Sequence, residues 1–321
     1  MILIVTNQLD PTADLVIAEF HRRNISFLRF NIEEFPAKVK CSISIDECES
    51  LDAHFDFGLG RKIFVSEIKS VYYRRPKAPL IDPKITSGEA KKFVLQETQA
   101  AMNGLWMAMD CLWVNHPKYI RVADFKISQL QIAKQLGFSI PKTLVTNEPE
   151  KAREFFELCD GKMIAKVLRN GMINYENEIK LIYTTRILRD HLDQLHSVKF
   201  APCLFQAYIP KQTEIRSTIV GNRVFSAEIH SQNSERTRDD WRRYDFANTP
   251  HFPHTLPKEI EHKCLQLLKY FKLNFAAIDL ILTPEGEYVF LEINPNGQWG
   301  WIEALTQLPI CQAIVDLLDR N

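Results

Sequence analysis

Two apolar runs near the end of the chain contain its most informative polar residues. The stretch Phe290-Leu291-Glu292-Ile293-Asn294-Pro295-Asn296-Gly297-Gln298-Trp299 joins one run to a carboxylate and an amide, and Ala277-Ile278-Asp279-Leu280-Ile281 is a second run with a single carboxylate. Between them, Thr283-Pro284-Glu285-Gly286-Glu287 contains the residues that favour a tight turn. The sequence therefore predicts two antiparallel strands joined as a hairpin.

Three polar side chains converge in this hairpin. Because side chains alternate along a strand, Glu292 and Asn294 share one face, which Asp279 can reach from the neighbouring strand. Oxygen ligands without His or Cys are typical of Mg²⁺, which usually binds protein carboxylates together with substrate phosphates. The hairpin favours a nucleotide site, although carboxylates also end buried strands that bind no metal.

The composition is that of an ordinary globular protein. The chain has 321 residues, enough for two or three domains, with 45% hydrophobic and 25% charged residues. Lysine plus arginine equals aspartate plus glutamate, 40 against 40, so no net charge attracts nucleic acid or an anionic membrane. We expect neither as a partner, and any basic site must be local.

Targeting signals and cysteine spacing bear on the compartment. No apolar run approaches the roughly 20 residues that span a bilayer, and Met1–Val5 lacks the basic region and cleavage site of a signal peptide. The seven cysteines are scattered and never spaced Cys-x-x-Cys, which favours reduced thiols over a zinc site or disulfides. These features predict a cytoplasmic protein.

The first third of the chain has the pattern of a parallel α/β layer. A strand at Ile2–Val5, a helix at Thr12–Arg23 and a strand at Phe27–Phe30 follow one another. After a long helix at Gly88–Met109 the pattern changes, so we place the end of a first domain at residue 115.

Two lysines lie inside apolar patterns further along the chain. A helix is predicted at Ile120–Leu136 with Lys126 in it, and a strand at Met163–Val167 contains Lys166. A lysine in an apolar strand is costly without an anionic partner, which a nucleotide phosphate would supply. A further helix is predicted at Arg186–Gln194.

Two other segments are candidates for substrate contact. Arg74 and Arg75 end a strand and could grip a carboxylate or a phosphate, although a solvated strand end explains them equally well. The polar segment Ser231–Pro257 is predicted to be a loop, in which Trp241 and Arg242 could contact a peptide. A solvated surface loop is the alternative for this segment.

A series of polar residues resembles the ATP-grasp ligases, in which two subdomains hold ATP between them. The series consists of Lys126, Lys166, Gln206, Ala207, Tyr208, Ile209, Glu214, Arg216, Asp279, Glu292 and Asn294. The resemblance implies an α/β fold of three parts: an N-terminal parallel α/β pre-ATP-grasp domain (1–115), a central subdomain (116–204) and a C-terminal subdomain with an antiparallel sheet (205–321).

The resemblance also implies roles for these residues, with ATP and Mg²⁺ as cofactors. Two lysines would bind phosphates, the hinge would read adenine through its backbone, and one glutamate would bind the ribose. The phosphate lysines are Lys126 and Lys166, the hinge is Gln206-Ala207-Tyr208-Ile209, and the ribose carboxylate is Glu214. The catalytic set is Arg216 with the metal ligands Asp279, Glu292 and Asn294.

Four phrases resemble the graspetide synthetases more specifically, the microviridin-type ATP-grasp enzymes that macrocyclise ribosomally made peptides. They are Tyr73-Arg74-Arg75-Pro76, Ala123-Asp124-Phe125-Lys126, Asp240-Trp241-Arg242-Arg243-Tyr244 and Glu292-Ile293-Asn294-Pro295-Asn296-Gly297-Gln298-Trp299. The resemblance implies that an Asp or Glu side chain of a precursor peptide is activated as an acyl phosphate. A Ser or Thr hydroxyl or a Lys amine of the same peptide then forms an ω-ester or ω-amide.

The same resemblance implies partners and a docking region. A leader segment of the precursor would bind the central subdomain, where the strand at 179–184 and the acidic residues Asp190 and Asp193 are candidates. A homodimer is also implied. The tail Asn296–Trp299 is predicted to form a wall between the γ-phosphate and the peptide.

Two departures from the family pattern stand out. The loop Leu168-Arg169-Asn170-Gly171 is less glycine-rich than the phosphate-covering loop of many relatives. Ala277 stands where many relatives place a carboxylate-binding arginine, and Arg216 is the best substitute. Two alternatives stay open: a ligase that joins two separate molecules, and a nucleotide-binding regulatory protein without catalysis.

Overall fold

The computed structural model describes residues 1–47, 51–169, 171–175 and 178–320. Its N-terminal region is built around a parallel sheet of four strands in the order β2-β1-β6-β7, with a separate antiparallel sheet β3-β4-β5. Its elements are β1 (Ile2–Thr6), α1 (Pro11–Arg22), β2 (Phe27–Asn31), β3 (Lys40–Ile45), β4 (Leu51–Asp56), β5 (Lys62–Phe64), β6 (Ser70–Tyr73), α2 (Gly88–Ala108) and β7 (Leu112–Val114). The predicted parallel α/β layer is confirmed.

The central region carries an antiparallel sheet in the order β12-β9-β13-β8 and a separate hairpin of β10 and β11. Its elements are α3 (Pro117–Ala123), α4 (Lys126–Gln135), β8 (Thr143–Thr146), α5 (Pro149–Leu158), β9 (Met163–Lys166), β10 (Met172–Tyr175), β11 (Glu178–Leu181), β12 (Thr185–Ile187) and β13 (Cys203–Ala207). Strand β13 pairs inside this sheet although the division proposed from the sequence, at 204/205, falls within it. The domain limits stay a prediction.

The C-terminal region is an antiparallel sheet of five strands in the order β16-β15-β14-β17-β18. Its elements are β14 (Thr213–Val220), β15 (Arg223–Ile229), β16 (His251–His254), α6 (Lys258–Tyr270), β17 (Phe275–Leu282), β18 (Tyr288–Asn294), α7 (Gly300–Thr306) and α8 (Ile310–Leu318). The predicted hairpin is confirmed as β17 and β18. Its turn is closed by a hydrogen bond from the Thr283 N–H to the Glu287 carbonyl at 2.9 Å.

The single helix predicted at 120–136 is wrong, because the chain breaks at Asp124 and Phe125 and forms α3 and α4. The Gln129 side chain explains the break: its amide donates to the freed Ala123 carbonyl at 2.6 Å and to the Ile293 carbonyl at 2.9 Å. The break places Lys126 in the first turn of α4, beside β18.

Two further predictions of secondary structure are corrected. The segment predicted as a helix at 186–194 begins instead in β12 and continues as 3₁₀ turns over Arg189–Phe200, which bury Leu195 and Val198 three residues apart. The predicted loop at 231–257 contains β16. Pro253 hides this strand in the sequence, but a proline is tolerated there because β16 is an edge strand.

The N-terminal and C-terminal regions share a hydrophobic core. Val16 and Phe20 of α1 pack with Ile310 and Ile314 of α8 around the fully buried Trp299. Within the described ranges, no helix is both long enough and apolar enough to cross a membrane.

Candidate active site

A cavity of about 470 Å³ lies between the central and C-terminal sheets. Ligand pockets typically measure about 300–1,000 Å³. Ten of the eleven residues of the ATP-grasp series line this cavity, namely Lys126, Lys166, Gln206, Ala207, Tyr208, Ile209, Glu214, Asp279, Glu292 and Asn294, whereas Arg216 lies behind the wall. The structure thus brings together residues that are far apart in the sequence.

The three candidate metal ligands lie next to one another at one end of this cavity. Asp279 and Glu292 are directly opposite on β17 and β18. The Asn294 amide donates to the Asp279 carboxylate at 3.1 Å and to the Glu292 carboxylate at 3.0 Å. Two carboxylates and an amide therefore form one cluster.

Each carboxylate of this cluster is paired with a cation. The Arg216 Nη1 atom lies 2.7 and 2.8 Å from the two oxygens of Asp279, and the Lys126 ammonium contacts Glu292. Burial raises the pKa of Asp279 against the opposing charge of Arg216. Burial would also raise the pKa of Glu292, but the charges of Lys126 and Lys166 outweigh it and hold that pKa below its ordinary value.

Lys166 stands at the same end of the cavity without such a partner. No carboxylate of the described chain lies within ion-pair distance of its ammonium, and burial lowers its pKa. An anionic group in the cavity would relieve this cost. The position therefore suits a phosphate.

The donor chemistry of the cluster fits Mg²⁺. The part of the chain that the structure describes holds no group of three His, Cys, Asp or Glu residues suited to a metal. The candidate set is two carboxylates and one amide, all hard oxygen ligands, and Mg²⁺ needs few of these because it keeps several waters. A bound cation would exchange with the N–H donors that contact Asp279 and Glu292.

The opposite end of the cavity holds buried acceptors without donors. Glu214 accepts from the Lys211 ammonium at 2.6 Å through Oε1, while Oε2 has no donor within hydrogen-bond distance among the described residues and the Ser231 hydroxyl acts on the carboxyl from further away. The Gln206 amide donates to Thr143 at 3.0 Å, and its Oε1 has no partner. Burial raises the pKa of Glu214. Such unpaired acceptors are costly unless a ligand donates to them, as ribose hydroxyls or an amino group would.

One backbone N–H of the hinge has no acceptor among the described residues. The Ala207 N–H donates to the Lys142 carbonyl and the Tyr208 N–H to the Lys162 carbonyl. The Ile209 N–H has no hydrogen bond to any described residue, and it lines the cavity. A ring nitrogen of a base could accept from it.

The polar segment after β15 supplies an aromatic wall. Trp241 lines the cavity, stacks on Trp301 at 4.8 Å between ring centroids, and lies 6.0 Å from the Arg216 guanidinium. Arg242 makes two bonds to Asp240 at 2.8 and 2.5 Å. Arg242 also lines the cavity, and its charge acts on Glu292 and Asp279.

Four other candidates for substrate contact lie in different places relative to the cavity. Arg74 is buried and does not line the cavity, because it pairs with Asp10, whereas Arg75 does line it. Asp190 and Asp193 are exposed on the 3₁₀ turns, outside the cavity. The substrate roles of all four stay predictions.

The predicted wall at 296–299 is wrong for Trp299. This residue is fully buried, and its indole N–H donates to the Tyr72 hydroxyl at 3.2 Å. None of the four residues lines the cavity. Sequence reasoning also missed Lys211 and Gln129. Lys211 stands in the polar stretch that follows Pro210, and Gln129 has the polar neighbours Ser128 and Gln131, so neither is distinguished by its surroundings in the sequence.

Family models match nearly the whole chain. Residues 1–121 match the MvdD pre-ATP grasp domain, and residues 123–318 match the RimK-like ATP-grasp domain. Together with the cavity between two antiparallel sheets, these matches define the class of the protein: it is an ATP-grasp ligase.

Solved structures narrow the class. The macrocyclase MdnC from Microcystis aeruginosa MRC, bound to the precursor peptide MdnA, is 32% identical with a TM-score of 0.86, over 99% of this chain and 98% of that one. A RiPP-associated ATP-grasp ligase of Chryseobacterium gregarium, in complex with ADP and a leader and core peptide, is 31% identical with a TM-score of 0.90, over 99% and 96%. The chain belongs to the graspetide-type ATP-grasp ligases.

Curated relatives are more distant. A probable alpha-L-glutamate ligase 1 of Shewanella denitrificans is 23% identical over 198 residues, which is 61% of this chain. The chain spans 64% of the length of that relative.

Proposed function

We propose that this protein uses ATP to form intramolecular crosslinks in a ribosomal precursor peptide. It activates Asp or Glu side chains as acyl phosphates and closes ω-ester or ω-amide rings, guided by a leader segment of the same peptide. The observation that carries the proposal is the cavity lined by buried acceptors without donors, by Lys126 and Lys166, and by Trp241, with Arg216 behind its wall and paired with Asp279.

The chain's own groups bind ATP along this cavity. Glu214 and Gln206 accept from the ribose and the base, and the Ile209 N–H donates to the base. Lys126 and Lys166 neutralise the phosphates. Mg²⁺ held by Asp279, Glu292 and Asn294 would neutralise the charge of phosphoryl transfer.

The reaction has two balanced steps. A carboxylate oxygen of the peptide attacks the γ-phosphorus, the bond to the β-phosphate oxygen breaks, and ADP leaves. A hydroxyl or amine of the same peptide then attacks the acyl carbon, releases phosphate and loses its proton. Arg216 stabilises the negative charge that develops on the acyl phosphate and on the tetrahedral oxyanion.

The peptide docks on two surfaces in this proposal. The acidic core lies along Trp241 beside Arg216. The leader binds the central region, where the β10–β11 hairpin exposes Ile173, Tyr175 and Leu181, and where Asp190 and Asp193 can meet basic leader residues. The active unit is a homodimer in the cytoplasm, where ATP is available.

Mass spectrometry tests this function. The purified protein is incubated with ATP, Mg²⁺ and an acidic peptide rich in Ser, Thr or Lys, encoded next to its gene. We expect the loss of one water per ring, dependent on ATP, and a large loss of rate when the leader is deleted. Equal turnover with and without the leader would contradict leader guidance.

The same measurement decides between the alternatives. A ligase that joins separate molecules, which the similarity to the glutamate ligases favours, adds the mass of a second molecule less one water, whereas cyclisation only removes one water per ring. A regulatory protein without catalysis forms no product and releases no ADP in response to the peptide. Either outcome would replace the proposal.

A further inference from the structure

Three arginines donate hydrogen bonds to the turn that follows β18. Its residues are Asn296, Gly297 and Gln298, and we call it the 296–298 turn. The Asn296 carbonyl accepts from Arg75 at 2.9 Å, the Gly297 carbonyl from Arg74 at 3.4 Å and the Gln298 carbonyl from Arg216 at 3.3 Å. Successive carbonyls thus contact two arginines of the N-terminal region and the candidate catalytic arginine.

Arg74 is held rigidly on the N-terminal side of this turn. Its side chain is 2% exposed, and its Nε lies 3.1 Å from the Asp10 carboxylate, which is 4% exposed. Asp10 also caps α1 by accepting from the Thr12 N–H at 3.1 Å. A buried guanidinium requires such partners, so the start of α1 fixes its orientation.

The side chain of Gln298 connects Arg74 and the start of α1 to the turn. Its Oε1 accepts from the Arg74 guanidinium and from the Thr12 hydroxyl at 3.1 Å. Its backbone carbonyl accepts from Arg216. One residue therefore contacts both arginines, through two different groups.

Arg216 is held from two sides, by Asp279 and by the 296–298 turn. One terminal nitrogen is used by Asp279 and the other by the Gln298 carbonyl, while its buried Nε has no partner. Gly297 leaves room for it: a Cβ there would lie 2.8 Å from Arg216 Nη2 and 2.5 Å from the Ala277 Cβ. The turn therefore fits closely around the guanidinium.

We propose that Arg74 is a positioning residue for Arg216, acting through the 296–298 turn. The N-terminal region then sets the orientation of the guanidinium that faces the acyl phosphate. The inference rests on the role of Arg216 in the proposed function. In this inference Arg74 acts on the reacting centre indirectly, and not through the direct substrate contact that the sequence predicts.

Kinetics in two backgrounds test this role. We expect Arg74→Gln to lower kcat for cyclisation about 10- to 100-fold, since small misplacements of a reacting group have effects of this size. The KM values for peptide and ATP should change less than about twofold, because Arg74 touches neither. In an Arg216→Lys background, Arg74→Gln should cause no further loss, and in the wild-type background Arg74→Lys should lose less than Arg74→Gln.

Arg23→Gln is the matched control. Arg23 also joins the N-terminal region to the C-terminal one, with its Nη1 2.6 Å from Asp316, but it does not contact the 296–298 turn. We expect this variant to lower the thermal unfolding midpoint without changing kcat. Equal losses of kcat from Arg23→Gln and Arg74→Gln, or a full additional loss in the Arg216→Lys background, would overturn the inference.

A measurement without turnover separates this inference from the proposed function. The Nε–H resonance of Arg216 in ¹⁵N-arginine-labelled protein is assigned by its loss in Arg216→Lys. It should shift or broaden in Arg74→Gln and Arg74→Lys but not in Arg23→Gln. An unchanged resonance in both Arg74 variants contradicts positioning, whereas absence of cyclised product from the wild type contradicts only the proposed function.

Discussion

In the proposed function the cavity has a phosphate end and a nucleoside end, and the two ends hold their buried polar groups differently. At the phosphate end, Asp279 is paired with Arg216, and Glu292 with Lys126. At the nucleoside end, oxygens of Glu214 and Gln206 are buried without donors. At the first end the described part of the chain pairs its own carboxylates and leaves the Lys166 ammonium without a carboxylate partner, whereas at the second end it leaves buried acceptors without donors.

This difference indicates which end contributes most to the binding free energy of a nucleotide. At the nucleoside end, a ligand supplies missing donors and displaces nothing, so the site is organised in advance. At the phosphate end, phosphates and a metal must exchange with existing ion pairs. Affinity should therefore come mainly from the nucleoside, and catalysis from the rearranged charges.

The largest effect is expected from breaking the charged cluster. Asp279→Asn or Glu292→Gln should abolish ATP-dependent modification, because each removes an anionic oxygen ligand while keeping the shape of the side chain. Peptide mass spectrometry measures the loss, and circular dichroism checks that the fold is retained. Full activity in either variant would refute the metal assignment.

A smaller effect is expected at the nucleoside end. Hydrogen bonds to charged groups contribute about 1.5–3 kcal/mol and neutral ones about 0.5–1.5, so Glu214→Gln should reduce the preference for ATP over 2′-deoxy-ATP by about fivefold. Steady-state KM values for the two nucleotides measure this preference. A preference unchanged by the substitution would show that Glu214 does not contact the 2′-hydroxyl.

The exchange of partners at the phosphate end can be measured without turnover. Arg216→Gln removes the cation that competes for Asp279, so binding of Mn²⁺ in the presence of ADP should become tighter while cyclisation is lost. Electron paramagnetic resonance of free Mn²⁺ gives the affinity, and Arg23→Gln serves as the control. Weaker Mn²⁺ binding in Arg216→Gln would show that this arginine supports the metal site.

The smallest effect concerns stability and pH. The raised pKa of Glu214 means that the folded chain keeps a proton that the unfolded chain releases near pH 4.5. Its contribution to stability therefore falls as the pH rises from 4.5 through the raised pKa. The unfolding midpoint of Glu214→Gln minus that of the wild type, without nucleotide, should rise across this window. A constant difference would argue against a raised pKa.

The hairpin of β17 and β18 shows what sequence alone can predict. Apolar runs with single carboxylates predict that β17 pairs with β18, because strand periodicity and turn chemistry are local properties, but they do not predict the register shift between Asp279 and Leu280. The same periodicity brought Asp279, Glu292 and Asn294 to one face. The parallel N-terminal layer could be predicted for similar reasons.

The errors arose where tertiary contacts override local patterns. The break between α3 and α4 depends on Gln129, whose partner carbonyl at Ile293 is remote in sequence. The strand β16 is apparent only once the neighbouring β15 is known. The sequence predicts a ligand-binding role for Arg74 because its actual partner, Asp10, is also distant along the chain.

The stacked pair of Trp241 and Trp301 has a spectroscopic consequence. Two indole rings 4.8 Å apart and inclined by 30° are close enough for their electronic transitions to couple, which gives a paired signal in circular dichroism. Because Trp241 borders the cavity, any ligand that moves the segment around it should alter this signal. In the proposed function this signal would report peptide binding, and Trp301→Phe would remove it.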